Sequence, residues 1–173
     1  LMIADLNIFS KNIKDTIIPI MKNLSINYNK VTSIAIAGNS GSGKSYMLTY
    51  LLSMLKNISD LIIVDPKYDS PSRWAKKNNI AVIHPEANRS KSDFVAQINE
   101  KLSWSLNKIY ERQKILFNNP NHEYNHLTIV IDEVLALSEG VNKAIKESLF
   151  ALLSQIALLG RATRVHLLLV SQR

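Results

Sequence analysis

Apolar positions along this chain come in two rhythms. Short, nearly unbroken apolar runs stand at residues 34–37, 61–64, 127–131 and 165–170, interrupted only by Thr128 and His166. Runs of this length bounded by turn residues fit strands buried on both faces of a parallel sheet. Between them, apolar residues recur three and four apart. One set is Leu48, Leu51, Leu52 and Leu55; a second is Val95, Ile98, Leu102, Leu106 and Ile109; a third is Val141, Ile145, Leu149, Leu152, Ile156 and Leu159. These are the stripes of amphipathic helices. The spacing predicts helices over 44–56, from the capping-box-like Ser90-Lys91-Ser92-Asp93 to about 116, and over 140–159, with Gly160 as the last one's C-terminal cap. A short strand is expected at 81–83, with a basic loop before it carrying Lys67, Arg73, Lys76 and Lys77, and a polar loop at 118–126. Alternating strands and helices of this kind predict an α/β fold, a parallel sheet flanked by helices on both faces. The regular part spans 33–173. Residues 1–32 form a separate N-terminal segment of unassigned role, with a helix expected over 11–24 that Pro19 would kink or break.

Composition narrows the classes. The length of 173 residues fits one domain with a real core. No apolar run approaches the roughly 18 residues of a membrane span, and Asp5 interrupts an N-terminus without a basic signal-peptide region. Cysteine is absent, which removes disulfides and thiolate metal sites and agrees with a cytoplasmic location. Of the four histidines, only His122 and His126 are spaced for metal, and in a polar loop they read as a solvated pair. The net charge of +7 points to a polyanionic partner, for which nucleic acid is the usual choice. The chain starts at Leu1 and stops just after an apolar strand, the pattern of a piece of a longer protein in which an anchor or further domain would lie outside these residues.

The chemistry is concentrated in Gly38-Asn39-Ser40-Gly41-Ser42-Gly43-Lys44-Ser45-Tyr46. An apolar strand precedes it and an amphipathic helix follows, the context that makes G-x-x-x-x-G-K-[ST] a P-loop. Its glycines let backbone N–H groups curl around phosphates, and the helix N-terminus adds a favourable dipole. Lys44 would reach the β- and γ-phosphates of ATP, and the Ser45 hydroxyl would hold Mg²⁺. Downstream, the strand ending in Asp132-Glu133 delivers two acids to the sheet edge where ligands of open α/β sheets bind. Asp132 suits indirect Mg²⁺ binding, and Glu133 suits polarising a water for attack on the γ-phosphate. Adjacent acids also cap strands, but downstream of a P-loop they favour hydrolysis over passive binding. Gln172, at the end of the last strand, either closes that strand or senses the γ-phosphate. Arg161 and Arg164 flank a helix C-terminus, where cations are favoured anyway; the sharper reading is an arginine finger for a neighbouring subunit.

Several of these pieces together resemble one family. The P-loop with Ile36-Ala37 before it, Val64-Asp65-Pro66-Lys67, Val130-Ile131-Asp132-Glu133, Gly160-Arg161-Ala162 and the ending from Val165 to Gln172-Arg173 are similar to the FtsK/SpoIIIE branch of the FtsK–HerA ATPases, over residues 34–173. Those are translocases of double-stranded DNA and their relatives, including coupling proteins of conjugative elements. The resemblance implies a RecA-like core in a hexameric homo-oligomer around DNA, Arg161 as the finger in trans and Gln172 as the sensor. It implies that the segment 135–146 faces the ring's pore, where Lys143 and Lys146 are candidate phosphate contacts. It also implies a further core strand beyond Arg173, beside the P-loop strand, so that the sheet is incomplete at its C-terminal end. Tyr68-Asp69 after the Asp-Pro-Lys element departs from chromosome-segregation members and favours a mobile or conjugative element. Arg164, where a small residue is usual, competes with Arg161.

The expectation is therefore an ATP-hydrolysing motor core that moves DNA through a ring. The alternative is a coupling ATPase that recruits a relaxase–DNA complex to a secretion channel, with any membrane anchor outside this chain. A binding module without turnover is a third reading, against which Glu133 speaks.

Overall fold

A computed structural model describes residues 16–172. Five strands form one parallel sheet in the order β3-β7-β6-β4-β5. They are β3 (Ser33–Ala37), β4 (Ser59–Val64), β5 (Val82–Ile83), β6 (His126–Ile131) and β7 (Val165–Ser171). Four helices, α1 (Lys44–Leu55), α2 (Ser70–Lys77), α3 (Lys91–Asn118) and α4 (Lys143–Thr163), connect them. The α/β expectation holds.

Residue alternation on the central strands sorts the core into two layers. On β6 and β7, Ile129, Ile131, Val165 and Leu167 face α3 and α4, where Ile98, Leu102, Ile109, Leu149 and Ile156 close the layer. Val130, Leu168 and Val170 face the other way, onto Leu48, Leu51, Leu52 and Leu55 of α1. Every residue of β6 is buried. That explains its apolar run, broken only by Thr128 after His126 opens the strand, since a strand covered on both faces has no solvent-facing side. Strand β3 closes one edge of the sheet and pairs only with β7 among the described residues.

Four expectations need correction. The part of the anticipated 11–24 helix that is described is a hairpin, β1 (Ile17–Met21) antiparallel to β2 (Leu24–Asn27); residues 11–15 lie outside the described residues. β-Branched Ile17, Ile18 and Ile20 favour extended backbone, and Pro19 is tolerated in a two-stranded ribbon. Its carbonyl accepts a hydrogen bond from the Tyr50 hydroxyl, which ties the hairpin to α1. Second, the basic loop before β5 contains helix α2. Pro71 sits in its first turn, where a missing N–H costs nothing, and the buried Asp65 carboxylate accepts from Ser72 N at 3.2 Å. Third, Gly160 is not a cap. It lies inside α4, where a Cβ would stand 2.1 Å from the Val165 carbonyl oxygen, so glycine is required for close approach to β7. The left-handed cap is Arg164, at φ 57°.

Fourth, His126 is not a solvated loop residue. It opens β6, only 2% exposed, and its Nδ1 lies 2.7 Å from His166 Nε2 on β7. Tyr28, from a 3-10 turn at Tyr28–Lys30, stacks on His166 with ring centroids 4.1 Å apart and shares a hydrogen bond with Thr128. Asn29 Oδ1 lies 2.9 Å from His126 Nε2. A neutral pair fits these contacts, with His126 Nε2–H donating to Asn29 and its bare Nδ1 accepting from His166, and it leaves His166 Nδ1 buried without a partner among the described residues. The cluster joins the segment after the hairpin to the N-terminal edge of the sheet.

Burial pushes both imidazoles down to about 4, with Arg164 and Arg112 adding to the effect on His126 and His126 on His166. The unfolded chain, whose histidines titrate near 6.5, binds more protons between those values. The pair's contribution is therefore intact above about pH 6.5 and is lost as pH falls toward 4. Asp132, raised to about 6 from 3.8, acts in the opposite sense over its own window. The expected outcome is a Tm difference between about pH 7.5 and about pH 5 that shrinks in His126→Gln, read by thermal unfolding of both proteins at both pH values.

Candidate active site

The P-loop leaves the C-terminal end of β3 and runs into α1. Gly43, at φ 85°, occupies the N-cap position of that helix and offers it no side-chain cap. A Cβ at Gly41 or Gly43 would meet nothing within 4 Å, so the cradle is open on that side. An uncapped helix start beside an open glycine loop fits an anion, which the backbone amides and helix dipole would hold. The Lys44 ammonium donates to the carbonyls of Gly38 and Asn39, each at 2.7 Å, and so lies across the loop that would receive phosphates. Ser45 and Tyr46 are exposed on the first turn. Asn39, Ser40 and Ser42 are exposed too, and Ser42 N closes the loop on Asn39 O at 3.2 Å.

The acids lie two strands away. Ladder register sets Ala37 beside Ser171 and Ile131 beside Leu169, so β7 separates Gly38 from Asp132 by about 10 Å, two strand spacings. Asp132 N donates to Val64 O at 3.1 Å, and Asp132 Oδ1 accepts from Glu133 N at 3.0 Å. Its carboxyl is pushed up to about 6, first by burial, then by the negative charges of Glu133 and Asp65. A carboxylate crowded by its own sign suits a nearby cation. Among the described residues no three His, Cys, Asp or Glu side chains cluster as a metal site. Mg²⁺, which keeps several waters and takes one or two protein oxygens plus phosphates, fits this donor set of Ser45 and Asp132.

Glu133 is held from three sides. Its backbone is left-handed at φ 52°, unusual for a non-glycine residue and found where surroundings over-determine it. Its Oε1 accepts from Lys67 Nζ at 2.9 Å and from Gln172 Nε2 at 3.3 Å. The Lys67 ammonium is stabilised in its charged form chiefly by that bond, which raises its pKa. Gln172 follows Ser171, the residue level with Ala37, and so sits between the P-loop and the acids.

Asp65, at the end of β4, is fully buried and fully used. Its Oδ1 accepts from Lys67 N at 3.1 Å; its Oδ2 accepts from Asp69 N at 2.8 Å, Ser72 N at 3.2 Å and Ser72 Oγ at 2.5 Å. This carboxylate shapes the loop that aims Lys67. Sequence reading found the Asp-Pro-Lys element but gave Lys67 no task. The missing signal is a contact across 66 residues of chain, which no local pattern encodes.

The two arginines separate. Arg164 Nη1 donates to Tyr124 O at 2.9 Å, and its Nη2 lies 3.5 Å from Glu123 Oε1. Arg112 joins the same seam, donating to Thr163 O at 2.8 Å and Asn125 O at 3.1 Å. Arg161 is exposed in the last turn of α4; its carbonyl accepts from Arg164 N at 3.2 Å, and its side chain has no hydrogen bond or ion pair among the described residues. It lies where β7 begins, roughly 20 Å, the length of a strand of that size, from the edge bearing its own P-loop. Lys143 and Lys146 are both exposed on the first turns of α4, Lys143 within 3.8 Å of Glu147. The preceding 3-10 segment Val134–Ser138 starts directly from Glu133.

The profile of the AAA domain family matches residues 29–173. The chain is 26% identical over 167 residues to the FtsK domain-containing protein YdcQ of Bacillus subtilis, covering 91% of this chain and 33% of that protein. It thus spans about a third of that relative's length. In structure it is similar to the pCW3 conjugation coupling protein TcpA, solved with ATPγS, at TM-score 0.73 and 23% identity, over 92% of this chain and 49% of the other. The type VII secretion ATPase EccC of Thermomonospora curvata follows at TM-score 0.60 and 16% identity, over 94% and 20%. EssC of Geobacillus thermodenitrificans gives TM-score 0.60 and 13% identity, over 87% and 30%. These likenesses bear out the P-loop fold. No described helix is long and apolar enough to cross a membrane.

Different tasks for the two arginines predict different stability effects. Arg164→Ala should cost about 1–2 kcal/mol, because it takes a charged donor away from the part-buried Tyr124 carbonyl. Arg161→Ala should stay within about 0.5 kcal/mol of the parent. Urea unfolding of both variants measures this.

Proposed function

Because this chain belongs to the AAA domain family, we propose that it is the ATP-hydrolysing core of a ring-forming motor that moves DNA. The observation that carries the reading is a site divided between two edges of the domain. Phosphate cradle, acids and Gln172 share one edge, while the exposed Arg161 stands at the other. As a finger, an arginine so far from its own P-loop would serve a neighbour's site in an oligomer; by resemblance, that is a hexameric ring.

The residues divide the work. The amides of residues 38–45 bind the phosphates, and Lys44 exchanges its two carbonyl partners for β- and γ-phosphate oxygens. Ser45 and, through water, Asp132 would hold Mg²⁺, which when bound neutralises charge across those oxygens. Glu133 Oε2, which has no hydrogen bond among the described residues, takes the proton of the attacking water. Gln172 spans the gap between that carboxylate and the phosphate edge. Arg161 of the adjacent subunit stabilises charge in the transition state. The charge of +7 and the exposed Lys143 and Lys146, beyond the segment that starts at Glu133, support phosphate-backbone contacts with little sequence preference.

A second reading is favoured by likeness to a conjugation coupling protein and to secretion ATPases. In it the same hydrolysis recruits a relaxase–DNA complex to a secretion channel. Both readings place this domain on the cytoplasmic side.

Full-length protein should hydrolyse ATP with Mg²⁺, faster with DNA, and Lys44→Ala or Glu133→Gln should lower kcat by at least about 100-fold. Lys44→Ala and Arg161→Ala proteins should each be inactive but regain activity on mixing, because one hybrid interface pairs an intact cradle with an intact finger. Absence of turnover with DNA and Mg²⁺ would reject the motor. DNA-stimulated turnover without movement along DNA would favour the coupling reading.

A further inference from the structure

Glu133 needs a fixed direction, and its own loop cannot supply one. It lies in the turn after β6, caps a 3-10 segment, and carries a flexible side chain on a left-handed backbone. The direction comes from elsewhere. We propose that Lys67 is the positioning residue of Glu133, binding one carboxylate oxygen so that the other is left to face water. The inference rests on the role given to Glu133 above.

The support is built in steps. Pro66 and the four bonds to buried Asp65 fix the loop after β4, including the Lys67 amide itself at 3.1 Å. Tyr68, at φ 51°, turns the chain immediately afterwards. From this anchored backbone the Lys67 ammonium reaches Oε1 of Glu133 at 2.9 Å, and the Gln172 amide reaches the same atom at 3.3 Å. Two donors converge on Oε1 and none of the described residues binds Oε2. The Glu133 side chain is only 13% exposed, whereas that of Lys67 is 54% exposed. The bridge therefore joins a sheltered acid to a cation at the rim. A surface ion pair of this exposure adds little stability. Its consequence is orientation: a base displaced by about 1 Å loses up to roughly 100-fold in rate.

The test uses full-length protein and steady-state ATP hydrolysis with Mg²⁺ and DNA. Lys67→Ala should lower kcat roughly 10- to 100-fold with KM for ATP changed less than about threefold, since the lost contact touches the base and not the nucleotide. Lys67→Arg, which keeps a cation within reach, should recover most of the loss. In the Glu133→Gln background, Lys67→Ala should slow the residual rate by less than about twofold, because residues acting as a unit are not additive. The inference is overturned if Lys67→Ala keeps parental kcat, if its loss falls on KM, if arginine is no better than alanine, or if the two losses multiply. Retained activity in Glu133→Gln alone would instead remove the base assignment itself. A slow Glu133→Gln beside a fast Lys67→Ala would leave that assignment standing and remove only this inference.

Discussion

The position of β7 between β3 and β6 is the constraint on which the site depends. With one strand interposed, the P-loop and the Asp132-Glu133 pair stand about 10 Å apart, two strand spacings. Register along the same strand sets the side chains. A slip of one residue would turn every β7 side chain to the opposite face, moving Leu168 and Val170 out of the α1 layer. It would also carry Gln172 away from Glu133. The apolar alternation that fixes the core therefore also fixes the spacing between the P-loop, Gln172 and the acids.

A second layer of order comes from polar groups inside that frame. Asp65 is a buried carboxylate whose bonds go to donors of the loop that follows it and of the first turn of α2. Such a group is costly to bury without partners and, once satisfied, holds its loop in one shape. The rigid loop passes its orientation to Lys67, and Lys67 to Glu133. At the far edge, Arg164 and Arg112 bind carbonyls of the chain entering β6 and leave Arg161 outside. One edge thus gathers the P-loop, the two acids and Gln172, while Arg161 is exposed at the other.

How much was legible in the sequence follows from the range of each interaction. The strands and three of the four helices could be read because burial on a sheet or helix face leaves a local period. Glycines of the P-loop could be read because a tight turn needs them within eight residues. The hairpin at β1–β2 was misread because Pro19 is compatible with a broken helix and an edge strand alike. Helix α2 was missed because its N-terminal support is the Asp65 side chain, which propensity does not register. Gly160 looked like a cap for sound local reasons, yet its true cause is the Val165 carbonyl pressing on α4. His126 was placed in a loop because the partners that bury it, Tyr28 and His166, come from distant segments. Lys67 shows the limit most clearly: its motif was visible and its target was not.

The pose of Lys44 has a kinetic corollary. The Lys44 ammonium has two partners within its own loop, the Gly38 and Asn39 carbonyls. An incoming nucleotide gains only the difference between two sets of bonds to that lysine, so part of the gross attraction never appears as affinity. The same exchange runs in reverse when product leaves, because the carbonyls are at hand to take the lysine back. For the motor proposed above, which must clear its site before each new step, such a modest grip would favour throughput.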